Sequence, residues 1–327
     1  MKKRILSGMR PTGPLHLGHL FGTLKNWVSL QDDYDCLFMV ADWHALMSEY
    51  EDLAELKKNI YEMVKDWIAC GINVKKCVIF LQSAVPYHLE LAMVFSVITP
   101  LAWLERCPTY KEQLRELKGK DITTYGFLGY PVLQAADITI YKAHKVPVGM
   151  DQLPHLELTR EIVRRFHFLY KKEIFPEPEP LLTNVPKLLG LDNRKMSKSF
   201  GNYIAISDAA DAVRKKISQM ITDPKRIKLS DKGHPDVCNI FSYYGVFADK
   251  EIVDNTRDSC VNAIKGCTEC KKNLAEIIIE YLRPIQLERV KLKNSDIDEL
   301  LKKGNKKAAG IAEETMDKVR EVIGLYR

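Results

Sequence analysis

An α/β fold, a doubly wound parallel sheet followed by an all-helical region, is what this sequence predicts, and three observations predict it. Short apolar runs alternate with longer helical patterns through the first half of the 327-residue chain, as they do where parallel strands are buried between helices. A Pro-rich stretch, EIFPEPEPLLTNVPKLLG from Glu173 to Gly190, then changes the texture. Beyond about Ser207, helix follows helix with no convincing strand to the C-terminus.

In order, Arg4–Met9 reads as a strand feeding a turn at Pro11–Pro14, and Leu15–Gln31 as a helix. Cys36–Ala41 (CLFMVA) is a second strand, followed by a charged helix over Glu51–Cys70. Cys77–Gln82 (CVIFLQ) is a third strand, with Leu89–Ile98 helical after it. Tyr130–Ala143 and Leu153–Tyr170 are further helices, and VPVG at Val146–Gly149 is a strand end between them. The Pro-rich stretch is expected to hold no regular element. Two domains result, 1–200 of nucleotide-binding type and 201–327 helical, with the C-terminal helix expected to pack back on the first.

Apolar residues make up 46% of the chain and charged ones 28%, as in ordinary globular proteins. The net charge of +6 suits an acidic partner without demanding one. No run approaches the roughly 18 apolar residues of a membrane span, and the start, MKKRILSGMRPTG, has too short an apolar segment for a signal peptide. The expected compartment is the cytoplasm, with no membrane partner. There the eight cysteines are expected as thiols or metal ligands.

Ligands of open parallel sheets bind beyond the carboxyl ends of the strands, often at a helix N-terminus. The first strand–turn–helix has neither a GxGxxG fingerprint nor a GxxxxGK[ST] loop. It has HLGH instead: His16 and His19 lie one turn apart, both able to donate to phosphate oxygens, and Gly18 leaves room for a flat base. Alone, two histidines at a solvated helix start are a weak signal. Further on, KMSKS (Lys195, Met196, Ser197, Lys198, Ser199) sets two ammonium groups beside hydroxyls on a loop flanked by Gly, Asp and Asn. Such a loop can close over a triphosphate and stabilise departing pyrophosphate. Its chance occurrence in a chain of this length is on the order of one in ten thousand at equal residue frequencies.

Together HLGH and KMSKS resemble the paired signatures of class I aminoacyl-tRNA synthetases. YPVLQAADI (Tyr130–Ile138) and VPVGMDQLPHLELTREIVRRF (Val146–Phe166) are similar to the tryptophanyl-tRNA synthetase branch, and the likeness runs along nearly the whole chain. The resemblance implies a Rossmann-like catalytic domain ending in the KMSKS loop and a helical anticodon-binding domain. It also implies ATP with Mg²⁺, L-tryptophan and tRNA(Trp) as partners, and a homodimer. By it, His16, His19, Lys195, Lys198 and the mobile-loop Lys111 act in catalysis. Arg10, Pro11, Thr12, Gly18, His19, Gly149, Met150, Asp151, Leu188 and the KMSKS residues bind ATP. Gly8, His44, Tyr130, Gln134, Asp137 and Gln152 hold tryptophan, with Asp137 accepting from the indole N–H. A carboxylate inside the apolar AADITI run needs a partner in any case. Met150 stands where an acidic residue is usual, so a backbone role is implied there, and Gln134 stands where methionine is frequent.

Cys238, Cys260, Cys267 and Cys270 form C-x21-C-x6-C-x2-C. GCTEC places two thiols on one turn, and four thiolates suit an iron–sulfur cluster or zinc. A subset of the resembling synthetases holds a [4Fe–4S] cluster at such cysteines; the plainer alternative, with no metal, is three core thiols on one side of a helix. The remaining Cys36, Cys70, Cys77 and Cys107 read as core packing. Basic blocks at 213–219, 223–232 and 270–273 are solvated faces by default and phosphate contacts to tRNA if the resemblance holds. Rival readings are a tyrosyl-tRNA synthetase of the same fold and a non-catalytic, synthetase-like RNA-binding or regulatory protein. Asp137 argues against the first and the intact motifs against the second.

Overall fold

The computed structural model describes residues 2–107, 124–182, 188–198 and 200–326. The apolar runs become β1 (Arg4–Met9), β2 (Asp35–Val40) and β3 (Cys77–Leu81), followed by β4 (Lys145–Val148) and β5 (Glu179–Leu182). They form one parallel sheet in the order β3-β2-β1-β4-β5. The predicted α/β class, a Rossmann-like sheet with a helical C-terminal region, is the fold.

Strand alternation divides the core in two. Cys36, Phe38 and Val40 of β2 face Trp27 and Trp67, the indole of Trp27 stacking on Phe38 at 4.3 Å. Leu37 and Met39 face the other way, towards Phe95 and Phe166. Both faces are buried, so the strand is apolar throughout instead of alternating. From β1 the chain builds outwards to β3 and then crosses back to place β4 on the other side of β1. That reversal opens a crevice at the carboxyl ends of β1 and β4. Arg10–Pro14 and Gly149–Gln152 leave the sheet there.

The helix after β1 is a composite: α1 (Leu17–His19), a π-helical turn over Leu20–Leu24, and α2 (Lys25–Leu30). Next come α3 (Asp42–Glu49), α4 (Leu56–Ala69), α5 (Tyr87–Ile98), α6 (Leu101–Glu105), α7 (Tyr125–Ile140) and α8 (Leu153–Tyr170). The C-terminal half adds α9 (Ala210–Gln219), α10 (Asn239–Phe247), α11 (Lys250–Val261), α12 (Cys267–Lys291) and α13 (Asn294–Ile323). Buried Asp66 of α4 receives the Arg289 guanidinium of α12 at 2.6 Å. α13 returns to cover the β3 edge, where the Leu81 N–H donates to Asn305 Oδ1 at 2.8 Å. A Cβ on Gly304 would stand 1.8 Å from the Ile79 carbonyl oxygen, so only glycine permits this approach.

Several expectations need correction. The Pro-rich segment does hold a regular element, β5, whose Pro180 pairs opposite Val146; proline is tolerated because β5 is an edge strand and one side of its backbone needs no ladder donor. The charged helix begins at Leu56, not Glu51, and ADWHALMSE contains the unpredicted α3. The cysteines also differ: Cys260 lies on α11, Cys267 and Cys270 on α12, because the chain turns through Ala263 at φ 55° between them.

Candidate active site

At the end of β1 the turn delivers His16 in extended geometry as the N-cap of α1. Its Nδ1 accepts from the Gly18 N–H at 3.1 Å, while His19 Nδ1 accepts from the His16 N–H at 3.2 Å. This is a capping box with imidazoles in place of the usual hydroxyl and carboxylate. Because both Nδ1 atoms accept, both protons are assigned to Nε2. Burial and the nearby Lys198 charge bring His16 down to about 4. Burial, then His16 and Lys198, hold His19 well below its ordinary value. At neutral pH both rings are uncharged N–H donors.

A Cβ on Gly18 would lie 2.9 Å from the His16 ring and 3.5 Å from Met196 Sδ. The His16 ring thus requires glycine here, whereas Met196 Sδ would be in ordinary contact with a side chain. Met196 is buried against this point, and Asn202 shapes the loop around it. Asn202 Oδ1 accepts from the Ser197 N–H at 2.9 Å, and its Nδ2 donates to Asp192 Oδ1 at 2.7 Å and the Lys195 carbonyl at 3.2 Å. Behind the loop, Asn239 and Tyr243 of α10 donate to the carbonyls of Gly190 and Leu189. Lys195 is exposed. Lys198 is half-buried with Nζ 2.9 Å from the Gly13 carbonyl, and burial, then the Arg10 charge, brings it down to about 8.

Asp137, on α7, is 2% exposed. It meets His44 Nε2 at 2.7 Å, His88 Nδ1 at 2.7 Å and Gln82 Nε2 at 2.9 and 3.0 Å. Burial pushes its carboxyl up, but hydrogen bonds and charge from His44 and His88 outweigh this and bring it to about 2. The carboxylate is therefore ionised in a dry place. Nearby, the Tyr130 hydroxyl donates to His155 Nε2, and His155 Nδ1 donates to Gln152 Oε1 at 3.0 Å. Gly8 is fixed by the sheet, since a Cβ there would stand 2.7 Å from the Met39 carbonyl oxygen.

A cleft with neutral imidazoles and lysines at one end and a buried anion at the other suits a polyphosphate joined to a ligand bearing an N–H. The family model described as "tRNA synthetases class I (W and Y)" matches residues 1–283. The chain belongs to this synthetase family. The tryptophan–tRNA ligase of Thermotoga maritima is 49% identical over 326 residues, which cover 98% of this chain and 99% of that one. That of Aquifex aeolicus is 42% identical over 394 residues, with 98% and 100% covered. The structure of Campylobacter jejuni tryptophanyl-tRNA synthetase complexed with ADP and tryptophan superposes with a TM-score of 0.90 at 34% identity, covering 98% of this chain and 100% of that one. A tyrosyl-tRNA synthetase of Archaeoglobus fulgidus, 22% identical, shares the fold.

Within this synthetase the structure brings together Asp137 with His44, Tyr130 with Gln152 through His155, His16 with His19, and Lys198 with the turn after β1. Arg10 Nη1 donates to Ser48 Oγ at 3.3 Å, Pro11 and Leu188 are buried, and Thr12 closes the turn from its N–H to the Arg10 carbonyl. Gly149 and Asp151 start the short turn before α8, where Met150 is 70% exposed. Gln134 is half-buried on α7. Lys111 and Ser199 lie outside the described residues. Gln82, His88, His155 and Asn202 were not singled out from sequence. One signal was available for Gln82: it directly follows an apolar strand, where Gly149 and the residues after β1 also carry the site.

The four cysteines line one cavity of about 410 Å³ between α10, α11 and α12. Among the described residues no group of three or more His, Cys, Asp or Glu is placed to hold a metal ion. Burial raises the Cys260 thiol and pushes Cys270 up to about 11, and Arg226 Nη1 lies 3.9 Å from Cys260 Sγ. A cubane cluster carries its thiolates at its corners and spaces them more widely than one ion does. Cys238, Cys260, Cys267 and Cys270 bring four thiols to the wall of this one cavity. Among the described residues no helix is long and apolar enough to cross a membrane.

Proposed function

We propose that this chain, a tryptophan–tRNA ligase, activates its substrates through the residues gathered along this cleft. A tryptophan carboxylate oxygen attacks the α-phosphorus of ATP; the bond to the β-phosphate bridge breaks, and pyrophosphate leaves with the electron pair. The protein's part is alignment and charge stabilisation. His16 and His19 offer Nε2–H donors to the phosphates, and Lys195 and Lys198 meet the charge appearing on pyrophosphate, with Lys111 and Ser199 joining them. Arg10, Pro11, Thr12, Gly18, Gly149, Met150, Asp151, Leu188, Met196 and Ser197 frame the nucleotide, which brings its own Mg²⁺. Gly8, His44, Tyr130, Gln134 and Gln152 surround tryptophan, and Asp137 accepts from the indole N–H. The 3′-terminal ribose hydroxyl of tRNA(Trp) then attacks the adenylate carbonyl, releasing AMP.

Residues 201–327 are proposed to meet the anticodon through their basic blocks, in a cytoplasmic homodimer. Cys238, Cys260, Cys267 and Cys270 are proposed to hold a [4Fe–4S] cluster, which when bound ties three helices together and can carry one electron. The observation that carries the reading is the ionised, 2%-exposed Asp137, because a buried polar contact can reject an analogue lacking it by roughly 10⁴–10⁵. ATP–pyrophosphate exchange tests it. Exchange with tryptophan alone supports the assignment, exchange with tyrosine overturns the reading of Asp137, and exchange with neither leaves an RNA-binding protein. A brown anaerobic preparation absorbing near about 400 nm supports the cluster; colourless protein with stoichiometric zinc, or without metal, overturns it.

A further inference from the structure

The Asp137 carboxylate has about four acceptor positions, and the protein fills all four. Oδ1 faces His88 Nδ1 at 2.7 Å and Gln82 Nε2 at 2.9 Å; Oδ2 faces His44 Nε2 at 2.7 Å and Gln82 Nε2 at 3.0 Å. The three donors differ in place. Gln82 and His88 are 0% exposed, on the core side of the carboxylate, whereas the His44 side chain is 12% exposed.

Both buried donors are themselves held. Gln82 Oε1 accepts from the Trp43 N–H at 3.1 Å, so its amide nitrogen is the group turned to Asp137. His88 Nε2 lies 2.8 Å from the Tyr141 hydroxyl. With Tyr141 donating there, the ring proton is on Nδ1 and points at Oδ1. Tyr141 follows Asp137 by one turn at the end of α7, and its ring stands at 5.2 Å from that of Phe80 on β3. The carboxylate is thus clamped between β3, α5 and its own helix.

We propose that Gln82 and His88 are positioning residues for recognition of an N–H donor by Asp137: Gln82 holds both carboxylate oxygens from behind and His88 holds Oδ1, so that Oδ2 is the oxygen left open to the cleft. His44 occupies Oδ2 from the open side and is the partner that shares or yields it to the ligand. This deepens the reading of Asp137 as the indole acceptor and rests on it. A carboxylate held by two core donors cannot rotate to suit a ligand that offers no N–H, so discrimination depends on residues the ligand never touches.

The test compares tryptophan with 3-benzothienylalanine, in which sulfur replaces the indole N–H, in pyrophosphate exchange by the full-length enzyme. The His88→Leu variant removes the donor. His88→Asn retains one, since an asparagine amide nitrogen stands near the place of Nδ1. Loss of a hydrogen bond to a charged group corresponds to about ten- to a hundredfold. In H88L the tryptophan KM rises by that factor, with kcat and the ATP KM changing little, and the preference for tryptophan over the thia analogue narrows correspondingly. H88N restores most of the preference, and Gln82→Met narrows it as H88L does.

Equal losses for both amino acids, or an H88N variant no better than H88L, overturn the proposal and leave His88 a packing residue. If H88L does not fold, Q82M and H88N carry the same comparison. A wild-type enzyme that does not distinguish the two amino acids overturns the underlying assignment of Asp137, a different failure from the first two.

Discussion

The two ends of the cleft are built in opposite ways. At the Asp137 end every polar atom of the carboxylate is spoken for, its core partners are fully buried, and they rest on strand and helix termini. At the KMSKS end Lys195 is exposed, Lys198 rests on a backbone carbonyl, and the loop's shape depends on one asparagine, Asn202. The difference follows from the two tasks. Selecting one ring among several needs donors and acceptors fixed before the ligand arrives, because a site that can readjust loses its discrimination. Stabilising charge that appears only as pyrophosphate departs needs cations that can follow it.

The largest test of that contrast is Asp137 itself. Asp137→Ala is expected to lower kcat/KM for tryptophan by about 10³-fold or more, because it removes the acceptor and strands two fully buried donors, Gln82 and His88. The isosteric Asp137→Asn keeps the volume and isolates the acceptor. ATP KM should stay near its wild-type value in both, since the two ends share no hydrogen bond among those described. Unchanged tryptophan kinetics in either variant would break the assignment.

The Lys198 end predicts a smaller and pH-dependent effect. Its free-enzyme value near 8, lowered by burial and Arg10, means that the cation is lost as pH rises through 8. In exchange assays kcat/KM for ATP should therefore fall on the alkaline side, while Lys198→Arg, charged throughout this range, should lack that limb. Lys198→Ala should lower exchange by about 10²-fold at neutral pH. An alkaline limb that persists unchanged in the arginine variant assigns it elsewhere.

How much of this was legible in the sequence depended on how local each signal is. HLGH and KMSKS are contiguous, so their chemistry and spacing could be read directly. β1, with bounds at Arg4–Met9, was legible because a short apolar run sits between a basic tip and a Pro/Gly turn. α3 was not: it spans eight residues, and its Asp, Trp, His and Ser carry middling helix propensity. β5 was hidden by its own proline, which excludes a central strand but not an edge. The need of Asp137 for a partner could be read, but the identity of its partners could not. His44, Gln82 and His88 reach it from 93, 55 and 49 residues away, and only the sheet order brings α3, the end of β3 and α5 to one point. The alternative that sets Cys260, Cys267 and Cys270 on one helix fails for the converse reason. A helical period was continued through Ala263, where one positive φ divides α11 from α12.

The smallest expected effect tests what the two ends have in common, a neutral buried imidazole. Burial lowers His16, beside the phosphate end, and His155, between Tyr130 and Gln152, to about 4 each, from an unfolded value near 6.5. Between those values the unfolded chain binds a proton that the folded chain refuses, so stability rises with pH across this window. As pH falls from about 6.5 to 4, each histidine removes up to roughly 1.4 kcal/mol per pH unit. The melting temperature should accordingly fall over that range. In His155→Gln, which cannot take up the proton, the fall should be shallower by one histidine's share, and in His16→Gln by the same amount. If both variants keep the wild-type slope, the destabilisation belongs to other groups, and both imidazoles take up protons in the folded protein as readily as in the unfolded chain, below about pH 6.5. The phosphate end would then offer imidazolium cations in place of neutral donors only below that pH, and the two ends would differ in mobility alone.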